Sequence, residues 1–515
     1  MFGSHIRAYG QQLGLLPDLF ILGLCILSSF PLTALYVLIP TTPAFRTTRH
    51  WFSIIATSTI ALLVFDEYSI LHLLGSTLAT YFVTLWLGDR WWTPYVVFTA
   101  TLAHLSWIHM GAQFWYIDSP DFVDISAPMM VLVIKLSSYA WSVYDGTRPD
   151  QELHSEMRPF AIKQVPSLVE YLGFVFFFAT FWVGPAFDYQ HYYEFSRNIG
   201  VYRTIPSSFV AGIKAVVLGI LLLVAFLVLD VHWGPTYFRT GSQFITEPSL
   251  FWRIFLIQVA GFSTRAKLSS AWKISEAAGI FTGIGYAGIN PETQAPIFNR
   301  LENVNLWKVE LGQSPKGIVD GWNIKTSTWL KRCVYLRVST PGSRPTELAT
   351  GLTNLVSAMW HGFHAGYYMS FLSATLWIIV GRTTRRYFRP FVTLPESSLR
   401  AYKPLYDTIG FIVSMSTLNY IFIPFIVWRA DASLSIWSSV FFLGHVVLGT
   451  TILLLDTLGV GRYLLRYWLP KFVGADAAAS ARGEAVVECE ETQASRGSMA
   501  KVAGVTKPST KYKKA

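Results

Sequence analysis

Long apolar runs recur along the chain from residue 17 to residue 457 and are separated by polar connectors. About 20 mainly apolar residues suffice for a helix to cross the hydrocarbon core of a bilayer. The pattern predicts an all-α, polytopic membrane helical bundle with roughly nine to eleven membrane elements, some of them re-entrant and buried in protein. The candidate runs are residues 17–39, 51–65, 69–88, 93–110, 127–144, 168–184, 207–230, 246–262, 351–380, 407–427 and 436–457.

Two of these runs contain residues that interrupt a regular helix. The run 168–184 is followed directly by Pro185. The run 351–380 contains three glycines, of which Gly362 and Gly366 lie close together. Because glycine weakens a helix interior, the sequence leaves open whether this run is one bent helix or two separate helices.

Composition agrees with a membrane protein, since 52% of the 515 residues are hydrophobic and only 14% are charged. Soluble domains carry about a quarter charged residues. The net charge of +10 fits basic loops facing anionic lipid headgroups, and it gives no reason to expect a nucleic-acid partner. The three cysteines are scattered singly, which indicates neither a disulfide framework nor a zinc site.

Basic residues predict the orientation of the chain in the membrane. The connector 381–403 is rich in arginine, whereas the loop 428–435 offers only Arg429. The connector is therefore expected on the cytoplasmic side. Two further spans then return the chain to the cytoplasm. Residues 1–470 are predicted to form one membrane domain, and residues 471–515 a disordered, basic, cytosolic tail.

The tail ends in Lys511-Tyr512-Lys513-Lys514-Ala515. This ending fits the K-x-K-x-x form of the dilysine signal, which coat machinery reads on cytosolic tails of endoplasmic-reticulum membrane proteins. The alternative is a generic basic tail.

The sharper of two candidate chemical segments lies in the run 351–380. Ionisable residues are costly in a membrane and are functional hypotheses by default. If the run were one helix, Ser357, His361, His364 and Tyr368 would form one polar stripe. A neutral imidazole is suited to take a proton from a hydroxyl group. The alternatives are a packing histidine or a metal pair, and no nearby acidic ligand supports the pair, so no metal site is predicted.

The second segment is residues 321–337. The amide of Asn323 can orient a substrate carbonyl or stabilise a developing oxyanion. Lys325 and Arg332, with Trp329 on the same side of a predicted helix, form a basic cluster that could hold the phosphates of a coenzyme. An interfacial basic helix on lipid headgroups is the alternative reading.

Several enzyme signatures are absent. The chain contains no H-x-x-x-x-D, the signature of soluble-type glycerolipid acyltransferases. It also contains no G-x-S-x-G nucleophile elbow and no phosphate-binding P-loop. The spacing G-x-G-x-x-G occurs at residues 283–288, but it lacks the strand-helix context of a dinucleotide site and is interpreted as a flexible loop.

Together, the two segments resemble the signature of the membrane-bound O-acyltransferase (MBOAT) family, in the form of its fungal-type lysophospholipid acyltransferase branch. The resemblance rests on two motifs, W-N-x-x-T-x-x-W-L-x-x-x-V-Y-x-R at 322–337 and S-A-x-W-H-G-x-H-x-G-Y-Y-x-S-F at 357–371. Segments beginning at Gly184 and Trp272 are also similar, and the resemblance covers about residues 130–457. Ala365 departs from the pattern, since many relatives have proline there.

The resemblance implies an MBOAT-type fold and direct acyl transfer from acyl-CoA to the free hydroxyl of a lysophospholipid, with no bound cofactor and no acyl-enzyme. It implies that His361 is the catalytic base and Asn323 its partner. Gly362 is expected to leave room beside the base for a headgroup. Further residues are expected to contact substrate: Trp360, His364, Tyr368, Lys325, Trp329 and Arg332.

Two alternatives stay open. Within the family, the acceptor could be a sterol, a diacylglycerol or a protein. Outside it, a polytopic lipid transporter would also place polar residues at the membrane midplane, although the two halves of the chain show no matching pair of broken segments.

Overall fold

The computed structural model describes residues 2–12, 17–65, 67–115, 124–233, 237–238, 242–338, 346–481 and 483. Over these residues the chain is all-α, which confirms the predicted fold class. The helices of eight or more residues are α1 (Phe2–Gln12), α2 (Pro17–Tyr36), α3 (Arg46–Val64), α4 (Glu67–Leu87), α5 (Thr93–Met110), α6 (Ser126–Gly146), α7 (Leu168–Val175), α8 (Tyr189–Arg197), α9 (Phe209–Trp233), α10 (Leu250–Thr282), α11 (Glu347–His361), α12 (Ala365–Phe388), α13 (Lys403–Ile421), α14 (Ala430–Ser439) and α15 (Leu443–Ile452).

Shorter elements connect these helices. The described residues contain one two-stranded antiparallel pair, β1 (Gly288–Ile289) with β2 (Pro296–Ile297). The short α-helices are Ser242–Ile245, Leu306–Glu310, Pro315–Gly321, Ile324–Leu330, Pro390–Thr393, Ile423–Val427, Val460–Tyr463 and Leu469–Val473.

Side chains at the helix starts explain several of these boundaries. Ser249 caps α10 by accepting the backbone N–H of Trp252, and Thr346 caps α11 by accepting that of Ala349. Such caps satisfy backbone donors that the first helical turn leaves unpaired. At its other end, α10 stops at Gly283, whose φ of 93° is a left-handed conformation that favours glycine.

Four helical segments within the described residues are long and apolar enough to cross a membrane: Leu19–Tyr36, Tyr68–Leu87, Phe209–Trp233 and Arg400–Val427. A fifth span is formed if the pair Ala430–Ser439 and Leu443–Thr457, bent by 78°, is one broken crossing. Most of the other predicted runs are also helical, but their helices do not combine the length and the hydropathy of these four, and in the run 168–184 the α-helix ends at Val175. The chain is thus a multi-pass helical bundle.

The run 351–380 is two helices, because α11 ends at His361 and α12 begins at Ala365. The single polar stripe inferred from helical spacing is therefore wrong. Ser357 and His361 share one face of α11, whereas His364 precedes the first residue of α12.

Two clusters of buried apolar side chains form the core. The first contains side chains from each of the helices α2 through α8, together with Trp329 and Trp360. The second contains side chains from α10, α12, α13 and α14. The two long helices α9 and α10 pack against each other along their lengths. The space between the two clusters contains the candidate site.

Helical structure continues past residue 470, where the sequence predicts the membrane domain to end. The helix Leu469–Val473 and the helical residues 475–481 continue the fold, and Leu469, Val473 and Ala478 are buried in a small apolar cluster. Residues 484–515, including the dilysine-like ending, lie outside the described residues.

Candidate active site

A cavity of about 1640 Å³ lies between the two core clusters. Apolar and aromatic side chains from both clusters line it, including Val131 and Ile134 from one cluster and Trp377 and Leu418 from the other. Many polar side chains also line the cavity, although most of its surface is apolar. A large, mainly apolar cavity with convergent polar groups is the usual form of a site for small molecules.

His361 and Asn323 both line this cavity, although they are 38 residues apart in the sequence. The two residues that the sequence singled out for chemistry are therefore brought to one space. This convergence is the central feature of the site.

His361 is the last residue of α11, and a glycine with an unusual backbone follows it. Gly362 has φ 115° and ψ −160°, a region that residues with a side chain rarely adopt. The helix consequently stops at the imidazole. At this helix end His361 lines the cavity.

Aromatic rings surround the imidazole of His361. Phe371 stacks on it with ring centroids 5.4 Å apart, and Phe425 meets it edge-on at 5.0 Å. Among the described residues neither imidazole nitrogen has a hydrogen-bond partner, so both are open to a molecule in the cavity.

Asn323 has a left-handed backbone, with φ 43° and ψ 53°, directly before the helix Ile324–Leu330. Asparagine tolerates this conformation better than most residues. Its Oδ1 accepts a hydrogen bond of 3.1 Å from Nδ2 of Asn303. Asn303 also holds the start of the helix by accepting the backbone N–H groups of Ile324 and Lys325. The Nδ2 group of Asn323 thus has no acceptor among the described residues, and it is suited to donate to a ligand oxygen.

Three more of the expected contact residues line the cavity: Trp360, His364 and Lys325. His364 stacks on Trp428 with ring planes 3° apart. Lys325 donates from Nζ to the carbonyl oxygen of Arg300. Burial lowers the pKa of Lys325 to about 8, against the opposing effects of Asp188 and Glu276.

Trp329, Arg332 and Tyr368 do not line the cavity, so the structure does not support their expected contact with substrate there. Trp329 is buried and donates from its indole N–H to Ser137 at 2.8 Å. Arg332 pairs with Asp188 at 2.6 Å. Burial raises the pKa of Asp188, but the neighbouring Arg332 guanidinium outweighs this and holds it below its ordinary value. Of the basic cluster predicted for a coenzyme, Arg332 is therefore already neutralised, whereas Lys325 lines the cavity.

Other cationic groups reach the cavity instead. Arg382 and Arg385, near the end of α12, line it, and no carboxylate pairs with either of them in the part of the chain that the structure describes. Arg382 donates only to the hydroxyls of Thr350 and Tyr335, each at 3.3 Å. The sequence analysis used these arginines only to orient the chain. Only the tertiary structure shows that these arginines line the cavity.

His109 and Gln113 are two further polar residues that the sequence analysis missed. Both line the cavity and come from the end of α5 and the five-residue π-helical turn Gly111–Trp115 that follows. Polar residues four positions apart at the end of the apolar run 93–110 were the available signal.

The space beside Gly362 is occupied. A Cβ atom added there would lie 2.3 Å from Nε2 of Gln113. The expectation that the small residue leaves room for a headgroup is therefore wrong, because the carboxamide already fills that room.

Among the described residues, no three His, Cys, Asp or Glu side chains come together to hold a metal ion. His361 ends α11 and His364 precedes α12; the His361 ring stacks on Phe371, whereas the His364 ring stacks on Trp428. The site is organised around a histidine, an asparagine amide and arginines.

Comparisons with known proteins agree with this arrangement. The sequence pattern of the membrane-bound O-acyltransferase family matches residues 109–423, a range that contains both His361 and Asn323. A lysophospholipid acyltransferase of Schizosaccharomyces pombe is 33% identical over 449 residues, which cover 85% of this chain and 86% of that protein.

Two more relatives extend the comparison. A lysophospholipid acyltransferase of Saccharomyces cerevisiae is 31% identical over 454 residues, covering 82% of this chain and 72% of the relative. Lysophospholipid acyltransferase 5 of Homo sapiens is 29% identical over 343 residues, covering 66% and 69%. The matched family pattern and the similarity to fungal relatives over most of both chains lead to one conclusion: this chain belongs to the membrane-bound O-acyltransferase family.

Proposed function

We propose that this protein is a lysophospholipid acyltransferase that transfers a fatty acyl group from acyl-CoA to the free glycerol hydroxyl of a lysophospholipid. The observation that carries the proposal is the convergence of His361 and Asn323 on one large, mainly apolar cavity. The names of the fungal and human relatives support the same substrate class.

The proposed reaction is a direct transfer in one chamber. His361 removes the proton from the glycerol hydroxyl, whose oxygen attacks the thioester carbonyl carbon. The new ester C–O bond forms, the C–S bond breaks, and the CoA thiolate leaves and takes the proton from the imidazolium. Nδ2 of Asn323 donates to the thioester carbonyl oxygen, where negative charge develops.

Acyl-CoA is the proposed acyl donor, and it is a co-substrate, not a bound cofactor. We assign its phosphates to Arg382 and Arg385, because these cationic groups line the cavity and have no carboxylate partner among the described residues. This part of α12 borders the basic connector 381–403, the side expected to face the cytoplasm. A polar coenzyme would reach the chamber from there, while the lipid acceptor would enter from the bilayer.

Replacement of Arg385 by glutamine is expected to raise the KM for acyl-CoA about three- to tenfold with little change in kcat. The loss is that of a charge-assisted hydrogen bond at a partly solvated position. Steady-state kinetics of the purified protein would measure it. The control is Arg389→Gln, since Arg389 is exposed on the following turn and does not line the cavity. Equal KM values for both variants would remove Arg385 from the binding site.

An acceptor panel tests the function itself. Purified protein is supplied with labelled unsaturated acyl-CoA and, in separate reactions, lysophosphatidylcholine, other lysophospholipids, a free sterol, diacylglycerol or a peptide acceptor. We expect lysophospholipids to be acylated and the other acceptors to stay unmodified. Robust sterol ester or triacylglycerol formation without lysophospholipid turnover would overturn the proposed acceptor and leave the family assignment intact. Movement of lipid without acylation would indicate a transporter.

We further propose that the protein resides in the endoplasmic-reticulum membrane with its tail in the cytosol, where coat machinery reads the K-x-K-x-x pattern at residues 511–515. Replacing Lys511 and Lys513 together by serine is expected to let the protein leave that compartment with its specific activity unchanged. Microscopy of tagged protein and activity per molecule would measure both effects. Unchanged location would reduce the pattern to a basic tail.

A further inference from the structure

The segment that carries His361 is held by side chains from outside its own helices. The helix break leaves backbone N–H groups without intrahelical partners. The N–H of Gly362 is satisfied by the carbonyl oxygen of Met359 at 3.1 Å. The N–H of Phe363 has no such local acceptor, and it donates instead to Oε1 of Gln113 at 2.8 Å. Gln113 lies 250 residues earlier in the chain.

The same carboxamide also packs against the residue that follows the base. Its Nε2 is so close to the Cα of Gly362 that an added Cβ would lie 2.3 Å away. With φ 115° at Gly362, both the turn itself and the space beside it depend on a residue without a side chain. Gln113 therefore fixes the break in two ways, through a hydrogen bond and through contact.

A second anchor lies one helical turn earlier. Nε2 of His109 is 3.1 Å from the carbonyl oxygen of Trp360, and the indole N–H of Trp360 donates to the carbonyl oxygen of Met130 at 3.0 Å. The residue before His361 and the second residue after it are thus both tied to α5 and its extension. The imidazole itself has no hydrogen-bond partner among the described residues, so its position depends on this backbone.

We propose that Gln113 is a positioning residue for the catalytic base: by accepting the Phe363 N–H through Oε1, it sets the backbone from which His361 faces the acceptor hydroxyl. The proposal rests on the lysophospholipid acyltransferase function proposed above. Nothing in it requires Gln113 to touch substrate. The positioning of His361 depends on the acceptor atom Oε1 of Gln113 and not on its N–H₂ group.

Two variants separate the acceptor atom from the rest of the side chain. Gln113→Met keeps the length but removes the acceptor. Gln113→Glu keeps an oxygen where Oε1 lies and removes the N–H₂ group. The matched control is Gln190→Met, because Gln190 is also half-buried and makes one side-chain hydrogen bond, to Glu194 at 3.2 Å, outside the cavity.

The measurements are kcat and KM for acyl-CoA and lysophosphatidylcholine, per molecule of folded protein, together with the melting temperature. Displacement of a reacting group by about 1 Å can cost a factor of about 100 in rate. We therefore expect Gln113→Met to lower kcat about ten- to hundredfold with both KM values within about twofold. Gln113→Glu should stay within about threefold of the parent kcat, and Gln190→Met should be unchanged.

A kcat for Gln113→Met equal to that of the parent, even with a lower melting temperature, would show a purely structural role and overturn the proposal. A kcat for Gln113→Glu as low as that of Gln113→Met would also overturn it, because the amide N–H₂ group would then be the required one. If the parent protein itself fails to acylate any lysophospholipid, the proposed function fails, and that result is distinct from an active parent matched by Gln113→Met.

Discussion

Replacement of His361 by alanine is expected to lower kcat for acyl transfer by a factor of about 100 to 10,000, the usual contribution of a general base. The imidazole lines the cavity and is the proposed acceptor of the hydroxyl proton. The proposed reaction uses no other base. Turnover of labelled acyl-CoA in the presence of lysophosphatidylcholine is the measurement.

The same substitution should leave the protein folded. The His361 ring makes aromatic contacts with Phe371 and Phe425, but the helix end and the Gly362 turn do not use its side chain. Protein yield and melting temperature should therefore stay near those of the parent. His154→Ala is the matched control, since His154 is exposed and does not line the cavity. More than a few per cent of parent turnover in folded His361→Ala would mean that the assigned base is wrong.

Replacement of Asn323 by alanine is expected to lower kcat by a factor of about 100 to 1000, the range found when one oxyanion donor is removed. The physical reason is the loss of the Nδ2 donor. The substitution also removes the acceptor that holds Asn303 and puts a less tolerant residue at φ 43°. The same acyl-transfer assay measures the change.

Asn323→Gly separates donor chemistry from backbone conformation. Glycine adopts the left-handed backbone without strain, so it removes the amide and keeps the turn. We expect it to be as inactive as the alanine variant. Asn323→Asp should be impaired as well, because the ionised carboxylate keeps Oδ1 but has no hydrogen-bond donor. Recovery of activity in the glycine variant would show that Asn323 acts through the turn and not through its amide.

His361 and Asn323 could be singled out from the sequence because the free-energy cost of a polar side chain in an apolar segment depends on that segment alone. A histidine inside an apolar run and an asparagine in a basic, aromatic segment are conspicuous wherever the chain folds. The arrangement around His361 was not predictable from spacing. The polar stripe assumed one continuous helix, and the left-handed backbone of Gly362 ends that helix at the histidine.

The basic cluster shows the same limit. Arg332 lies nine residues after Asn323 and was expected to bind substrate, but it is neutralised by Asp188, which is 144 residues away in sequence. Spacing along one helix cannot reveal a carboxylate on another. Arg382 and Arg385 line the cavity and have no carboxylate partner among the described residues, and in the sequence they were visible only as a signal of orientation.

The sequence by itself determined that the chain is an all-α membrane protein and singled out His361 and Asn323 as candidates for its chemistry, because hydrophobicity, helical length and the cost of buried polar groups act within single segments. Tertiary structure decided which polar groups share the cavity, which cations are already paired, and that Gln113 fills the space beside Gly362. Those features depend on contacts between residues far apart in the chain. Hydrophobicity and residue spacing within one segment do not predict such contacts.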